Sequence, residues 1–108
     1  MPMKNIVVLH TTVSKIEDAR KLTKILLDDK LIGCAQIEGP IDSMYRWNNA
    51  IESAKEYRLS VKTISDLSAK VMNTIKINHP YELPEIVGSS YEICSEEYRN
   101  WLIDEVKE

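Results

Sequence analysis

Residues 41–63 read Ile41-Asp42-Ser43-Met44-Tyr45-Arg46-Trp47-Asn48-Asn49-Ala50-Ile51-Glu52-Ser53-Ala54-Lys55-Glu56-Tyr57-Arg58-Leu59-Ser60-Val61-Lys62-Thr63, and the fold follows from this stretch. Its second half alternates strictly. Tyr57, Leu59, Val61 and Thr63 point one way and Glu56, Arg58, Ser60 and Lys62 the other, the period-two pattern of a strand whose sheet has unlike faces. The run Ile41 to Trp47 is the partner strand, and Asn48-Asn49 marks the turn between them. The partner begins earlier, at Cys34-Ala35-Gln36-Ile37, and is interrupted at Glu38-Gly39-Pro40. Proline has no amide to donate, so a bulge or an edge is expected there.

Length then becomes a constraint. A straight strand from Cys34 to Trp47 would reach roughly 45 Å at about 3.3 Å per residue. A globule of this chain length has a radius of gyration near 13 Å and hence a diameter of about 34 Å. The hairpin must therefore either project or fold back at Gly39-Pro40. If it projects, Tyr45, Trp47 and Tyr57 expose aromatic area beside unpaired strand edges, which a second subunit would have to cover. If it folds back, the same rings join the core of the monomer.

Upstream of the hairpin, Asn5 to Val13 is a β-branched run apolar on both alternating faces, as in a central strand. Ser14-Lys15-Ile16-Glu17 has the form of a capping box opening a helix to about Lys30, with Ile16, Ala19, Leu22, Ile25 and Leu26 as its buried stripe. Gly33 suits the turn out of it. Downstream, Ser65 or Asp66 is positioned to cap a helix with Leu67, Val71, Met72 and Ile75 inward, which Pro80 stops. The stretch His79-Pro80-Tyr81-Glu82-Leu83-Pro84-Glu85 contains two prolines and reads as a stiff loop. Ile86 to Cys94 forms a last strand with a weak point at Gly88, and Ser95 caps a short helix carrying Tyr98, Trp101, Leu102 and Val106. The order strand, helix, strand, strand, helix, strand is that of an α+β, ferredoxin-like βαββαβ sandwich, here with a long central hairpin and a short C-terminal helix.

Composition narrows the function. With 108 residues the chain forms one domain over residues 1–108, and 44% hydrophobic content with 29% charged residues is that of a folding chain. The net charge of −3 offers no general attraction to phosphate backbones, and there is no phenylalanine to stack bases on a basic sheet, so a ferredoxin-like RNA-binding module is rejected. No run reaches the length of a membrane span, and Met1-Pro2-Met3-Lys4-Asn5 lacks the apolar stretch of a signal peptide, so a cytoplasmic location is expected. Cys34 and Cys94 show neither zinc-knuckle nor redox spacing and are expected to be free thiols.

Several segments resemble the CutA divalent-cation tolerance family. They are Ile6-Val7-Val8-Leu9, Cys34-Ala35, Ser43-Met44-Tyr45-Arg46-Trp47, Glu56, Lys62-Thr63, His79-Pro80-Tyr81-Glu82-Leu83-Pro84-Glu85-Ile86, Tyr98 and Trp101-Leu102. The resemblance implies a tightly packed homotrimer of ferredoxin-like subunits and a link to tolerance of copper and other divalent metals. In copper-binding relatives the position of His10 is often cysteine and that of Asn78 often histidine. Imidazole at His10 suits copper(II), zinc or nickel.

The candidate metal ligands are His79, His10, Glu82 and Glu85, with Asn78 and Cys34 beside them. His79 is held extended by Pro80 at a helix end near two carboxylates, a place where a ligand and a loop-fixing structural histidine are both natural. His10 shares a strand face with Ile6 and Val8, and Glu56 and Lys62 share another as cleft residues or an ion pair. Two histidines and two cysteines cannot build a four-ligand structural zinc site at any recognised spacing, so copper(II) or another divalent cation would bind weakly or between subunits. The expected function is a non-enzymatic, trimeric, copper-binding tolerance protein. The alternative is a trimeric regulator, similar to the PII-like proteins, that binds a small anionic metabolite at subunit clefts. An enzyme would need Cys34 as nucleophile within hydrogen-bond reach of His79 as base.

Overall fold

In a computed structural model that describes residues 4–106, the four strands are β1 (Ile6–Val13), β2 (Cys34–Trp47), β3 (Ala50–Ile64) and β4 (Val87–Tyr91). They form one antiparallel sheet in the order β2-β3-β1-β4. Helices α1 (Ile16–Asp28) and α2 (Ser68–Asn78) link the strands, and α3 (Glu96–Glu105) follows β4. This is the expected ferredoxin-like arrangement. The amino-terminal Met1 to Met3, read above for a signal peptide, lies outside the described residues. No helix among the described residues is long and apolar enough to cross a membrane.

The alternation predicted for β3 holds. Leu59, Val61 and Thr63 are buried on the helix-covered face with Thr11, Leu9 and Val7 of β1 opposite them, and Ala19, Leu22, Leu26, Val71 and Ile75 close the core from above. Arg58, Ser60 and Lys62 stand on the other face with Ile6, Val8, His10 and Thr12.

Four local expectations are corrected. Ser14 does not cap α1: the cap position is Lys15, whose carbonyl takes the amides of Asp18 and Ala19. Helix α1 ends through Lys30, not Gly33. Lys30 has φ +56°, and the Leu31 amide returns to the Leu26 carbonyl. Neither Ser65 nor Asp66 caps α2 by its side chain; a 3₁₀ turn at Ser65–Leu67 leads into it, and Met72 is exposed. Strand β4 is shorter than predicted: it ends at Tyr91, which pairs with Ile6, the first residue of β1, while the Asn5 carbonyl takes the Ser65 amide. The Glu92 carbonyl is taken instead by Arg99 at 2.7 Å. Ser95 does cap α3, accepting the Tyr98 amide at 3.2 Å.

The hairpin projects. The molecule measures 49 × 26 × 21 Å, its hairpin turn is made by Asn48 and Asn49 at φ +50° and +64°, and Trp47 is 48% exposed at the tip. The expected irregularity is a register shift between Glu38 and Ile41, where Gly39 takes φ +142° before a cis Gly39-Pro40 bond. The hairpin therefore does not return Tyr45 and Trp47 to the core, whereas Tyr57 at its base packs against it. Cys34 and Cys94 are both free thiols.

The weak point at Gly88 has a packing reason: a Cβ there would collide with the Val8 carbonyl oxygen and the Leu9 side chain of the central strand. Backbone in a paired central strand cannot retreat. Gly88→Ala should therefore cost about 1–3 kcal/mol, measurable by urea denaturation, with early hydrogen exchange at β4. An unchanged midpoint would show that β4 is not held this closely.

Candidate functional site

The loop after α2 rounds the end of β1 and lays Tyr81 across the sheet towards β3. His79 fixes that path. As the residue after α2 it is extended (φ −77°, ψ 140°), as its place before proline requires. Its Nδ1 accepts the Tyr81 amide at 3.0 Å, which leaves the hydrogen on Nε2. Nε2 donates to the Thr12 carbonyl at 3.0 Å and lies 2.9 Å from Thr11 Oγ1. The rings of His79 and Tyr81 sit 4.9 Å apart. Burial pushes the His79 imidazole below its usual pKa, against the opposing pull of the Thr12 carbonyl, Asp18 and Glu56.

Tyr81 in turn donates its hydroxyl to Glu56 Oε2 at 2.6 Å. Glu56 is only 8% exposed. Burial by itself would raise its carboxyl pKa, but hydrogen bonds from Ser43, Tyr81 and Thr12 outweigh that cost and leave it lower than normal. The carboxylate is therefore ionised and oriented. The Tyr81 phenol is pushed the other way, by burial and by the anion it holds.

Glu56 and Thr12 form the floor of a cleft of about 670 Å³. The hairpin supplies one wall through Ser43, Tyr45 and Trp47, and the loop supplies the other through Tyr81, Glu82 and Glu85. Asp42 and Arg58 complete its charged lining. Arg58 is already paired with Glu38 at 3.4 Å. The bulge at Gly39 underlies this geometry, since a Cβ there would lie 2.9 Å from the Glu56 carbonyl oxygen.

The predicted metal ligands are divided by the sheet. Glu82 and Glu85 reach the cleft. His79 stands behind it, with both ring nitrogens taken by the protein. His10 is on the opposite face from Thr11, where Nδ1 meets Ser60 Oγ at 2.8 Å, so the two imidazoles do not converge. Asn78 turns back to the Thr74 carbonyl of its own helix at 2.9 Å. Cys34 lies opposite Lys62 on the open face, whereas His79 bonds to Thr11 on the helix-covered face, so the proximity an enzyme would need is not assembled. Among the described residues no group of three or more His, Cys, Asp or Glu side chains is placed to hold one metal ion. Sequence reasoning left Glu56 and Lys62 as cleft residues or an ion pair; Glu56 lines the cleft without Lys62, and Tyr81, Ser43 and Thr12 were missed as its partners. The alternation of β3 could have pointed to Thr12 only if its register against β1 were known.

The profile of the CutA1 divalent ion tolerance protein family matches residues 7–105. A divalent-cation tolerance protein CutA of Pyrococcus horikoshii is 36% identical over 101 residues, covering 94% of this chain and 98% of the relative. The crystal structure of the divalent ion tolerance protein CutA1 from Ehrlichia chaffeensis superposes with TM-score 0.91 at 36% identity, over 96% of this chain and 97% of that one. The periplasmic divalent cation tolerance protein CutA of Archaeoglobus fulgidus gives TM-score 0.88 at 33% identity, over 97% and 100% of the two chains.

A base whose folded pKa lies below its ordinary 6.5 binds fewer protons folded than unfolded, so its contribution is complete above that value and declines as pH falls below it. Glu56 has the same sign in a lower window, beneath its ordinary 4.5. Urea unfolding from about pH 7 down to 4 should therefore show falling stability. His79→Gln should be less stable at neutral pH by about 1–3 kcal/mol and show a flatter upper part of that decline. A decline parallel to wild type would mean that His79 does not carry it.

Proposed function

This chain belongs to the CutA1 divalent ion tolerance family, and on that premise we propose that it is a non-enzymatic homotrimer that binds divalent cations loosely at the cleft beside Glu56. The observation that carries the reading is the charge of the lining. Glu56, Glu82 and Glu85 face one guanidinium, Arg58, which already has a carboxylate partner, while Asp42 is paired with Lys55. Such a lining concentrates cations and repels the anionic metabolite of the regulator reading.

Carboxylate oxygens with water completing the shell give modest affinity and little selectivity. Copper(II) should still bind most strongly of the common divalent ions, as the Irving–Williams order requires. The residues suit a hard-donor ion better than a soft one, since His79 and His10 point elsewhere. The trimer is supported by surface chemistry. Met44 and Ile51 on the hairpin and Tyr91, Ile93 and Trp101 near the C-terminal end are exposed, Ile93 at 94%, and the outer edges of β2 and β4 are unpaired within the sheet. Exposed apolar side chains beside open edges favour association.

Sedimentation at micromolar protein should give about three times 12.4 kDa; a monomer would remove the trimer. In calorimetric titrations with copper(II) and zinc, Glu56→Gln and Glu82→Gln should each weaken binding about 10-fold or more, while His10→Ala should leave it unchanged. Loss in the His79→Ala or His10→Ala variants with none in the carboxylate variants would move the site away from this cleft.

A further inference from the structure

The carboxylates of the cleft account for attraction of a cation, but not for its size or its aromatic wall. An ion with six waters fills on the order of 200 Å³ at about 30 Å³ per water, whereas the cleft holds about 670 Å³. That volume is in the range of small-molecule sites. The rings of Tyr45 and Trp47 line it from the hairpin, and Ile41 and Leu83 add apolar surface. A hydrated metal ion makes no use of such surface.

Charge placement points the same way. Glu56 is fixed at the floor by Tyr81, while Glu82 and Glu85 belong to the loop wall, and among the described residues no three acidic or imidazole groups gather on one point. Carboxylates spread along a cavity match a ligand whose positive charge is also spread or doubled. Aromatic faces attract ammonium and guanidinium groups through the ring quadrupole, and do so best where water is partly excluded.

We propose that this cleft binds a small organic cation, a primary diamine or a guanidinium-bearing amine, with one charged end on Glu56 and its methylene chain against Tyr45 and Trp47. The proposal rests on the reading of the cleft as cation-binding and adds the class of ligand. The Glu56 carboxylate, held in place by Tyr81, Ser43 and Thr12, offers its remaining acceptor capacity to one charged end of the ligand. The loop carboxylates Glu82 and Glu85 meet the second positive end.

Calorimetry and thermal shift on the full chain with 1,4-diaminobutane and 4-guanidinobutylamine test it, with 1,4-butanediol and succinate as neutral and anionic compounds of similar length. Both amines should bind and raise Tm, and the diol and succinate should not. Trp47→Leu should weaken the diamine at least about fivefold, by more than it weakens copper(II). Tyr45→Leu repeats the comparison if Trp47→Leu alters sedimentation. Glu56→Gln should weaken diamine and copper(II) together. No binding by either amine, equal binding by the diol, or indifference to both aromatic substitutions would overturn the proposal. If Glu56→Gln abolishes diamine binding and leaves copper(II) untouched, the organic-cation site stands and the divalent-ion reading of the cleft falls.

Discussion

Pairing of β1 with β3, in the register that sets Thr12 against Arg58 and His10 against Ser60, is the constraint from which the rest of the structure follows. Side chains alternate along a strand, so a slip of one residue would exchange the two faces of both strands at once. In the observed register Leu9, Thr11, Leu59 and Val61 all meet the helices, and the polar set remains opposite. Burial of that apolar row against α1 and α2 makes every other register costly. The positions of both histidines are consequences. Thr11 faces the helix layer and receives His79, while His10, one residue earlier, faces away.

The cleft depends on that pairing through a short chain of hydrogen bonds. The Thr12 carbonyl and Thr11 hydroxyl hold one edge of the His79 ring, the other edge holds the Tyr81 amide, and the Tyr81 hydroxyl holds Glu56. Each member has one remaining role once its partners are set, which is how a buried polar network specifies one arrangement. A neutral imidazole serves here because it presents one donor and one acceptor at once. The outcome is an ionised carboxylate at the floor of an open cavity. Left unbonded, the same burial would have pushed it towards neutrality.

The projecting hairpin has a second consequence. Rings that would strengthen a core, Tyr45 and Trp47, are instead placed along a wall and a tip, where they stay partly exposed. The bulge at Gly39-Pro40 does not turn the strand back. It shifts the register of β2 so that Ile41 faces Glu56, and with it Ser43 comes to the same carboxylate. One extra residue thus aligns the hairpin with the cleft, a common use of bulges near functional sites.

Much of the fold was open to reading from residues alone. The period-two pattern of residues 56–63, the paired asparagines at the turn, the prolines after α2 and Ser95 at the start of α3 act over a few residues, and each physical preference is local. The segment 79–85 was likewise recognisable as a stiff loop, and Glu56 as a cleft residue or half of an ion pair. Other features needed the tertiary structure. Ser14 met the requirements of a cap, yet the Lys15 carbonyl begins the helix, and Lys30 adopts the left-handed turn that Gly33 was expected to make. The gathering of Thr12, Ser43, Glu56 and Tyr81 joins four segments of the chain, and the separation of His10 from His79 depends on sheet parity plus the path of a loop. No local pattern encodes these, because they follow from which strand lies beside which and in what register, and that is decided only when the whole apolar face is buried together.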